Sequence, residues 1–133
     1  MRLVGAIPLL SVFFNTGPMP NDAAPEIIRT ETPALGVASP VGEPLISIIV
    51  PALNEEKLMD RTLRCFPKEL RDHYGIQLIV SDGGSSDATP QIAEASADVL
   101  VRHTEPRRQT IAEGRNRGAQ VARGELLVFI NAD

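Results

Sequence analysis

The sequence predicts an α/β fold whose sheet is mainly parallel. Four short apolar runs, LISIIV, IQLIV, ADVLV and ELLVFI, recur along the chain after residue 44. Continuous runs of this kind are typical of strands that are covered on both faces, as in a parallel sheet. Segments with helical spacing of apolar residues separate the runs, and strands that alternate with helices form the α/β class.

The first 44 residues differ in composition from the rest of the chain. Six prolines and many small or polar residues lie between residues 15 and 44. This predicts a flexible, Pro-rich arm or linker over residues 1–44 and a folded region over residues 45–133. Residues 3–14 are mostly apolar, so an alternative interpretation as a targeting or membrane-associating segment stays open. The run is too short to span a bilayer as a helix, which takes about 20 residues.

The first predicted strand begins at Leu45, and a helix follows it. The apolar face of this helix has members at positions i, i+4 and i+7: Met59, Leu63 and Phe66. Asn54 is the predicted N-cap, and Glu55 lies in the first turn, where the helix dipole favours acids. Cys65 lies in the same pattern and is predicted to be a small buried hydrophobe. As the single cysteine of the chain, it excludes an intrachain disulfide and a multi-cysteine metal site.

The remaining elements continue the alternation. The second strand runs from Ile76 to Val80, and Thr89–Pro90 opens a short helix that reaches about Ala95. The third strand, ADVLV, precedes a longer helix over about residues 108–122, which Gly124 closes, and ELLVFI forms the fourth strand. The residues of the longer helix that are available for packing are Ile111, Ala112, Ala119 and Val121.

The charge of the chain bears on its partners. The net charge of -4 at pH 7 gives no basic surface for nucleic acid, so no nucleic-acid partner is expected. The pair Arg107–Arg108 is interpreted as solvated surface, as is Arg117, whereas His73 and His103 are interpreted as surface or turn residues. The unpaired cysteine fits a reducing compartment, so a cytoplasmic location is expected, with attachment to the inner face of the membrane as an alternative.

Three polar loops are predicted to meet at one edge of the sheet. PALNEE follows the first strand, SDGGSSD follows the second, and NAD follows the fourth. Ligands of open parallel sheets bind beyond the carboxyl ends of the strands, so this edge is the predicted ligand site. SDGGSSD is not a phosphate loop of the G-x-x-x-x-G-K-[ST] type, because it has no lysine.

Each loop contributes candidate residues. Asp82, at the end of the second strand, is predicted to accept hydrogen bonds from a base or a ribose, and Gly83 lets the backbone approach a ligand. Asp87 is predicted to be a turn former or helix cap. Arg115 is a candidate for neutralising a diphosphate, because a guanidinium matches phosphate oxygens. Asp133 carries hard oxygens that suit Mg²⁺ or Mn²⁺.

In this order and spacing, ISIIVPALNEE, LIVSDGGSSDAT and EGRNRGAQVARGELLVFINAD resemble the family 2 glycosyltransferases of the GT-A fold over residues 45–133. The resemblance implies a Rossmann-like fold that binds a nucleotide-diphospho-sugar, most often UDP-linked, together with a divalent metal, Mg²⁺ or Mn²⁺. It implies transfer of the sugar to an acceptor, which is a saccharide, a lipid or a small molecule. The residues expected to bind the nucleotide-sugar are Pro51, Ala52, Asn54, Glu55, Asp82, Gly83, Arg115 and Asn131, and Asp133 is the expected metal ligand.

Two positions depart from the pattern of the family. Asn131 stands where the first acid of D-x-D is common, and Gly83 stands in place of the second acid of D-D-G-S. Both departures reduce the local negative charge. An asparagine at this position can still bond to a ribose or bind a metal weakly through its oxygen.

The resemblance also implies functional regions that follow the NAD motif. Family members continue beyond D-x-D with an acceptor-binding region and a catalytic base, so the base is expected beyond Asp133 and the fold is expected to be incomplete at the C-terminus. The chain is therefore predicted to be the donor-binding half of a glycosyltransferase that is inactive alone. The alternatives are a non-catalytic nucleotide-sugar-binding fragment and a sugar nucleotidyltransferase. The latter would carry a Gly-rich loop with a basic residue after the first strand, and PALNEE has neither.

Overall fold

The structure, a computed structural model, describes residues 11–14, 26–29 and 44–132. The strands of the described part are β1 (Ser11–Phe14), β2 (Glu26–Arg29), β3 (Ile46–Ala52), β4 (Ile76–Asp82), β5 (Val99–Arg102) and β6 (Leu126–Phe129). Its helices are α1 (Glu56–Leu63), α2 (Lys68–Tyr74), α3 (Thr89–Ser96) and α4 (Ile111–Val121).

These strands form one sheet in the order β1-β6-β3-β4-β5-β2. The four central strands, β6, β3, β4 and β5, are parallel to one another. The two outer strands are antiparallel to their neighbours, β1 to β6 and β2 to β5. The predicted α/β class with a mainly parallel sheet is confirmed.

Helices cover both faces of the central strands. Val50 of β3 belongs to one core cluster and Ile49 to the other, because successive side chains of a strand point to opposite faces. The first cluster includes Met59 of α1 and Ala93 of α3, whereas the second includes Ala119 of α4. Burial on both faces explains why the apolar residues of these strands are continuous in sequence rather than alternating.

The start and end of α1 differ from the prediction. Its N-cap is Glu55, not Asn54, which has a φ of 54°. Asparagine tolerates this left-handed conformation better than most residues, so the chain turns at Asn54 before the helix starts. The helix ends at Leu63, and Phe66 still packs against the core. Cys65 is exposed, so the prediction that it is a buried hydrophobe was wrong.

Helix α2 was not predicted from the sequence. Its segment, KELRDHY, has no apolar stripe, and the residue that it buries is Arg71. The Arg71 guanidinium pairs with Asp98 and donates to the Phe66 carbonyl oxygen at 3.0 Å. A helix whose buried side chain is a paired arginine lacks the helical spacing of apolar residues, so its sequence does not predict a helix. Gly75, with a φ of 65°, ends this helix in the left-handed conformation that glycine adopts without strain.

Two short segments of the predicted Pro-rich arm are strands. The register places Phe13 of β1 opposite Leu127, and Ile27 of β2 opposite Val101. The backbone pairing satisfies N–H and C=O groups that β6 and β5 would otherwise leave open at the edges of the sheet. Strands β1 and β2 were not predicted from the sequence, and the prediction of a flexible arm over residues 1–44 stays a prediction. The other residues before Pro44 lie outside the described part of the chain.

Helix α4 begins at Ile111, later than predicted, and packs closely on the sheet. Thr110 is its N-cap and forms a capping box with Glu113. A Cβ atom on Gly118 would lie 2.4 Å from Ile49 Cγ2, so glycine lets the helix axis approach β3. Ile111 and Ala112 were predicted to be available for packing, but both are exposed in the first turn of α4, Ile111 at 68%.

Candidate functional site

An open cavity of about 240 Å³ lies where β3, β4 and β6 end and α4 begins. This is the edge of the sheet at which the sequence predicted a ligand site. The residues that line the cavity are Pro51, Ala52, Leu53, Glu55, Ser81, Gly83, Arg108, Gln109, Thr110, Ile111, Gly114, Asn131 and Ala132.

The predicted binding residues divide into two groups. Those that line the cavity are Pro51, Ala52, Glu55, Gly83 and Asn131, and those that do not are Asn54, Asp82 and Arg115. Asp133, the expected metal ligand, lies outside the described residues. The structure therefore brings most of the candidates to one cavity, whereas their contacts with a nucleotide stay predictions.

Asp82 is fully buried, and its carboxylate is bonded within its own loop. It accepts hydrogen bonds from Gly84 N at 3.3 Å, from Ser85 N at 3.2 Å and from the Ser85 hydroxyl. Arg102 Nε lies 3.6 Å from the same carboxylate. A buried carboxylate needs such partners, because removing a charge from water is costly. In this structure Asp82 holds the loop after β4 in shape.

The loops after β3 and β4 are bonded to each other. Asn54 N donates to Ser85 Oγ at 2.9 Å, and Asn54 Oδ1 accepts from Ser86 N at 2.9 Å. Glu55 N donates to the Thr89 hydroxyl at 2.8 Å. Asn54 thus has the structural role of joining the two loops.

Asp87 has the structural role that the sequence predicted. Its carboxylate accepts hydrogen bonds from Thr89 N at 2.9 Å and from Glu56 N at 3.2 Å, so it serves the first turns of α3 and α1. Desolvation opposes ionisation here, but the hydrogen bonds from Thr89 and Glu56 outweigh it and lower the pKa of Asp87.

Two polar side chains of the cavity wall were missed by the sequence analysis. Ser81 Oγ and Gln109 Nε2 are buried, and neither has a hydrogen-bond partner in the described part of the chain. A Cβ atom added to Gly83 would lie 3.3 Å from Gln109 Oε1, and a Cβ atom added to Gly114 would lie at the same distance from it. These two glycines therefore leave room for the Gln109 amide at the cavity. No short motif marks Gln109, because it lies in a loop without periodicity.

The loop between β5 and α4, which carries Gln109, is held by ion pairs. Arg117 NH2 lies 2.6 Å from Glu105 Oε1, and its side chain is 14% exposed, so the interpretation of Arg117 as solvated surface was wrong. His103 is buried, contrary to its interpretation as a surface or turn residue, and its Nε2 lies 2.6 Å from the Arg107 carbonyl oxygen. Arg107 also pairs with Glu113 at 2.7 Å.

The acid of the capping box is strongly stabilised in its charged form. Hydrogen bonding from Thr110 N, followed by that from the Arg107 side chain, lowers the pKa of Glu113 from 4.5 to about 2. In the same loop, the hydrogen bond from Arg117 lowers the pKa of Glu105. The loop is thus fixed by charges that persist at neutral pH.

Arg115 lies on α4 and contacts Asn131, which lines the cavity. Its NH2 donates to Asn131 Oδ1 at 3.2 Å, while its Nε is buried with no partner among the described residues. The oxygen through which Asn131 could bind a metal therefore already accepts from a guanidinium. A cation bound at this oxygen would lie beside the guanidinium, so the arrangement disfavours metal binding by Asn131.

Neither a cluster of metal-binding side chains nor a membrane-spanning helix lies within residues 11–14, 26–29 and 44–132. No group of three or more His, Cys, Asp or Glu side chains there is arranged to hold a metal ion. None of the helices between residues 44 and 132 is long and apolar enough to cross a membrane. The predicted cytoplasmic location of the protein stays a prediction.

The model of the family described as Glycosyl transferase family 2 matches residues 47–133. The chain belongs to glycosyl transferase family 2. The matched residues begin in β3 and include the loops that line the cavity. The family resemblance seen in the three loop motifs is thereby confirmed.

Curated relatives of this family 2 chain are much longer than it is. It is 32% identical over 91 residues to validoxylamine A glucosyltransferase of Streptomyces hygroscopicus subsp. limoneus, covering 66% of this chain and 20% of that protein. It is 32% identical over 93 residues to a PGL/p-HBAD biosynthesis glycosyltransferase of Mycobacterium bovis, covering 68% of this chain and 36% of that protein. The chain therefore spans 20% and 36% of the lengths of these two relatives.

Two solved structures share the fold over about two thirds of this chain. Glucosyl-3-phosphoglycerate synthase from Mycobacterium tuberculosis, in complex with Mn²⁺, UDP and glucosyl-3-phosphoglycerate, superposes with a TM-score of 0.53 at 31% identity, over 68% of this chain and 34% of that one. Residues 1–349 of TarS from S. aureus superpose with a TM-score of 0.52 at 23% identity, over 66% of this chain and 27% of that one. The GT-A fold predicted for this family 2 chain is confirmed.

Proposed function

We propose that this chain binds the nucleotide-diphospho-sugar donor of a glycosyltransferase, with UDP as the nucleotide, and that the sugar passes to a saccharide, lipid or small-molecule acceptor. The observation that carries the proposal is the cavity at the carboxyl edge of the sheet, which five of the predicted binding residues line. Support comes from the M. tuberculosis synthase, a structural relative in complex with UDP and Mn²⁺.

The cavity wall suits both parts of a nucleotide. The loops after β3 and β4 contribute Ala52 and Gly83, where small residues let a flat base approach the backbone. On the opposite side lie Arg108 and the first turn of α4 at Thr110, where a cation and the positive end of the helix dipole favour a phosphate. The ligand would therefore lie with its base over the sheet edge and its diphosphate towards α4.

Two of the predicted residues do not line the cavity and act through residues that do. Asp82 shapes the loop that presents Gly83, and Arg115 orients Asn131. Asp133 stays the proposed ligand of Mg²⁺ or Mn²⁺, which supplies neutralisation of charge on a leaving diphosphate when it is bound.

Titration calorimetry of the purified protein with UDP and Mn²⁺ tests the proposal. Saturable binding is expected, with weaker binding of ADP. Gly114→Leu should reduce UDP affinity at least tenfold, because a Cβ atom at Gly114 already lies 3.4 Å from Pro51 Cβ and a longer side chain fills the cavity.

Ala112→Leu is the matched control, because Ala112 is exposed on the same helix and does not line the cavity. Its affinity for UDP should equal that of the unaltered protein. Absence of heat with millimolar UDP, or equal affinity of the Gly114→Leu and Ala112→Leu variants, would contradict the proposed donor site.

A further inference from the structure

We infer that Asn131 donates a hydrogen bond directly to the diphosphate of the nucleotide-sugar, and that Arg115 is the positioning residue that orients its amide. The inference rests on the proposed function, because it assigns a role inside the same cavity. It gives the departure from D-x-D a chemical meaning: a hydrogen-bond donor stands where the family pattern has a carboxylate.

The contact with Arg115 determines which way the Asn131 amide faces. Arg115 NH2 lies 3.2 Å from Asn131 Oδ1. A guanidinium has donors and no acceptor, so the amide atom that faces it must be the oxygen and not the nitrogen. The planar amide then directs Nδ2 away from the guanidinium. No described residue accepts a hydrogen bond from Nδ2, and Asn131 lines the cavity.

The charges of the described residues around Asn131 favour an anionic ligand. The Arg115 guanidinium contacts the amide, and Arg108 is a second cation at the cavity wall. Among the described residues that line the cavity, the one carboxylate is Glu55, which lies on the loop after β3. N–H donors beside cations bind phosphate oxygens well. A divalent cation held at Asn131 would instead meet a guanidinium and an oxygen that already accepts from it.

A carboxylate at position 131 would reverse this chemistry. It would pair with Arg115, would have acceptors only, and would repel a diphosphate unless a cation lay between them. The asparagine therefore lets this part of the site hold phosphate without a metal bridge. A metal held elsewhere in the site would add to this binding and would not be required for it.

Calorimetry with UDP and uridine, in EDTA and in Mn²⁺, tests the inference on the purified protein. The unaltered protein should bind UDP more tightly than uridine in EDTA. Asn131→Asp should weaken UDP binding in EDTA by about tenfold or more, the size expected for a hydrogen bond to a charged group, and should leave uridine binding unchanged. Asn131→Ala removes the donor without adding charge and should weaken UDP binding in the same direction.

Asn116→Asp is the matched control, because Asn116 is exposed on α4 and the substitution makes the same change in net charge. It should bind UDP as the unaltered protein does. UDP binding that requires Mn²⁺, or an Asn131→Asp variant with undiminished affinity in EDTA, would overturn the inference and leave the donor site standing. Failure of UDP and uridine to bind under both conditions would overturn the inference together with the proposed function.

Discussion

Substitution of Asp82 by alanine should destabilise the fold and not merely weaken ligand binding. The carboxylate has no exposed surface and accepts hydrogen bonds from Gly84 N, Ser85 N and the Ser85 hydroxyl. Alanine leaves these three donors without their acceptor, and each net hydrogen bond contributes about 1 kcal/mol, which gives a loss of about 3 kcal/mol. The Arg102 ion pair is not included in this loss, because its Nε lies 3.6 Å from the carboxylate and makes no hydrogen bond to it.

Urea unfolding followed by circular dichroism measures this loss as a change in the free energy of unfolding. Asp60→Ala is the control: Asp60 lies in an exposed i,i+4 pair with Arg64, and its loss should cost no more than about 0.5 kcal/mol. Asp82→Asn keeps one acceptor oxygen and should fall between the two. If Asp82→Ala costs no more than Asp60→Ala, the assignment of Asp82 as the organiser of its loop is wrong.

Three further predictions concern other parts of the fold. The pKa of Glu113 is lowered to about 2, so its stabilising contribution is present above the ordinary value of 4.5 and is lost as pH falls towards 2. Glu113→Gln should therefore make urea unfolding less dependent on pH between 4.5 and 2, and an unchanged slope would contradict the capping-box assignment. Gly118→Ala should lower the free energy of unfolding by about 1–3 kcal/mol, because its Cβ would lie 2.4 Å from Ile49 Cγ2; a neutral effect would mean that α4 packs less closely on β3. Cys65 should react with a thiol reagent in the folded protein at nearly the rate of the unfolded chain, and protection of Cys65 would refute its exposed position.

The central sheet and the place of the cavity were readable in the sequence because each rests on a local pattern. Strands β3 and β4 are continuous apolar runs, since both of their faces are covered. The cavity then follows from topology, because parallel strands carry their carboxyl ends to one edge. Pro51 lies near the end of β3, Gly83 directly follows β4, and Asn131 lies two positions after the end of β6, so this reasoning places all three at that edge.

Features that depend on contacts between distant residues could not be predicted from the sequence. Arg117 and His103 look like surface residues in sequence, and only the folded loop brings Arg117 to Glu105 and His103 to the Arg107 carbonyl oxygen. Helix α2 was missed for the same reason, since Arg71 finds Asp98, which lies 27 positions away. Strands β1 and β2 have four residues each, too few to stand out as strands in a Pro-rich segment.

The hydrogen bonds between the loops after β3 and β4 have a consequence for engineering. Asn54 contacts Ser85 and Ser86, and Glu55 contacts Thr89, so neither loop keeps its conformation independently of the other. A graft of one loop from a relative would place new side chains opposite partners that do not match them. Chimeras that seek a new donor preference should therefore exchange residues 53–56 and 83–89 together, as one inherited unit.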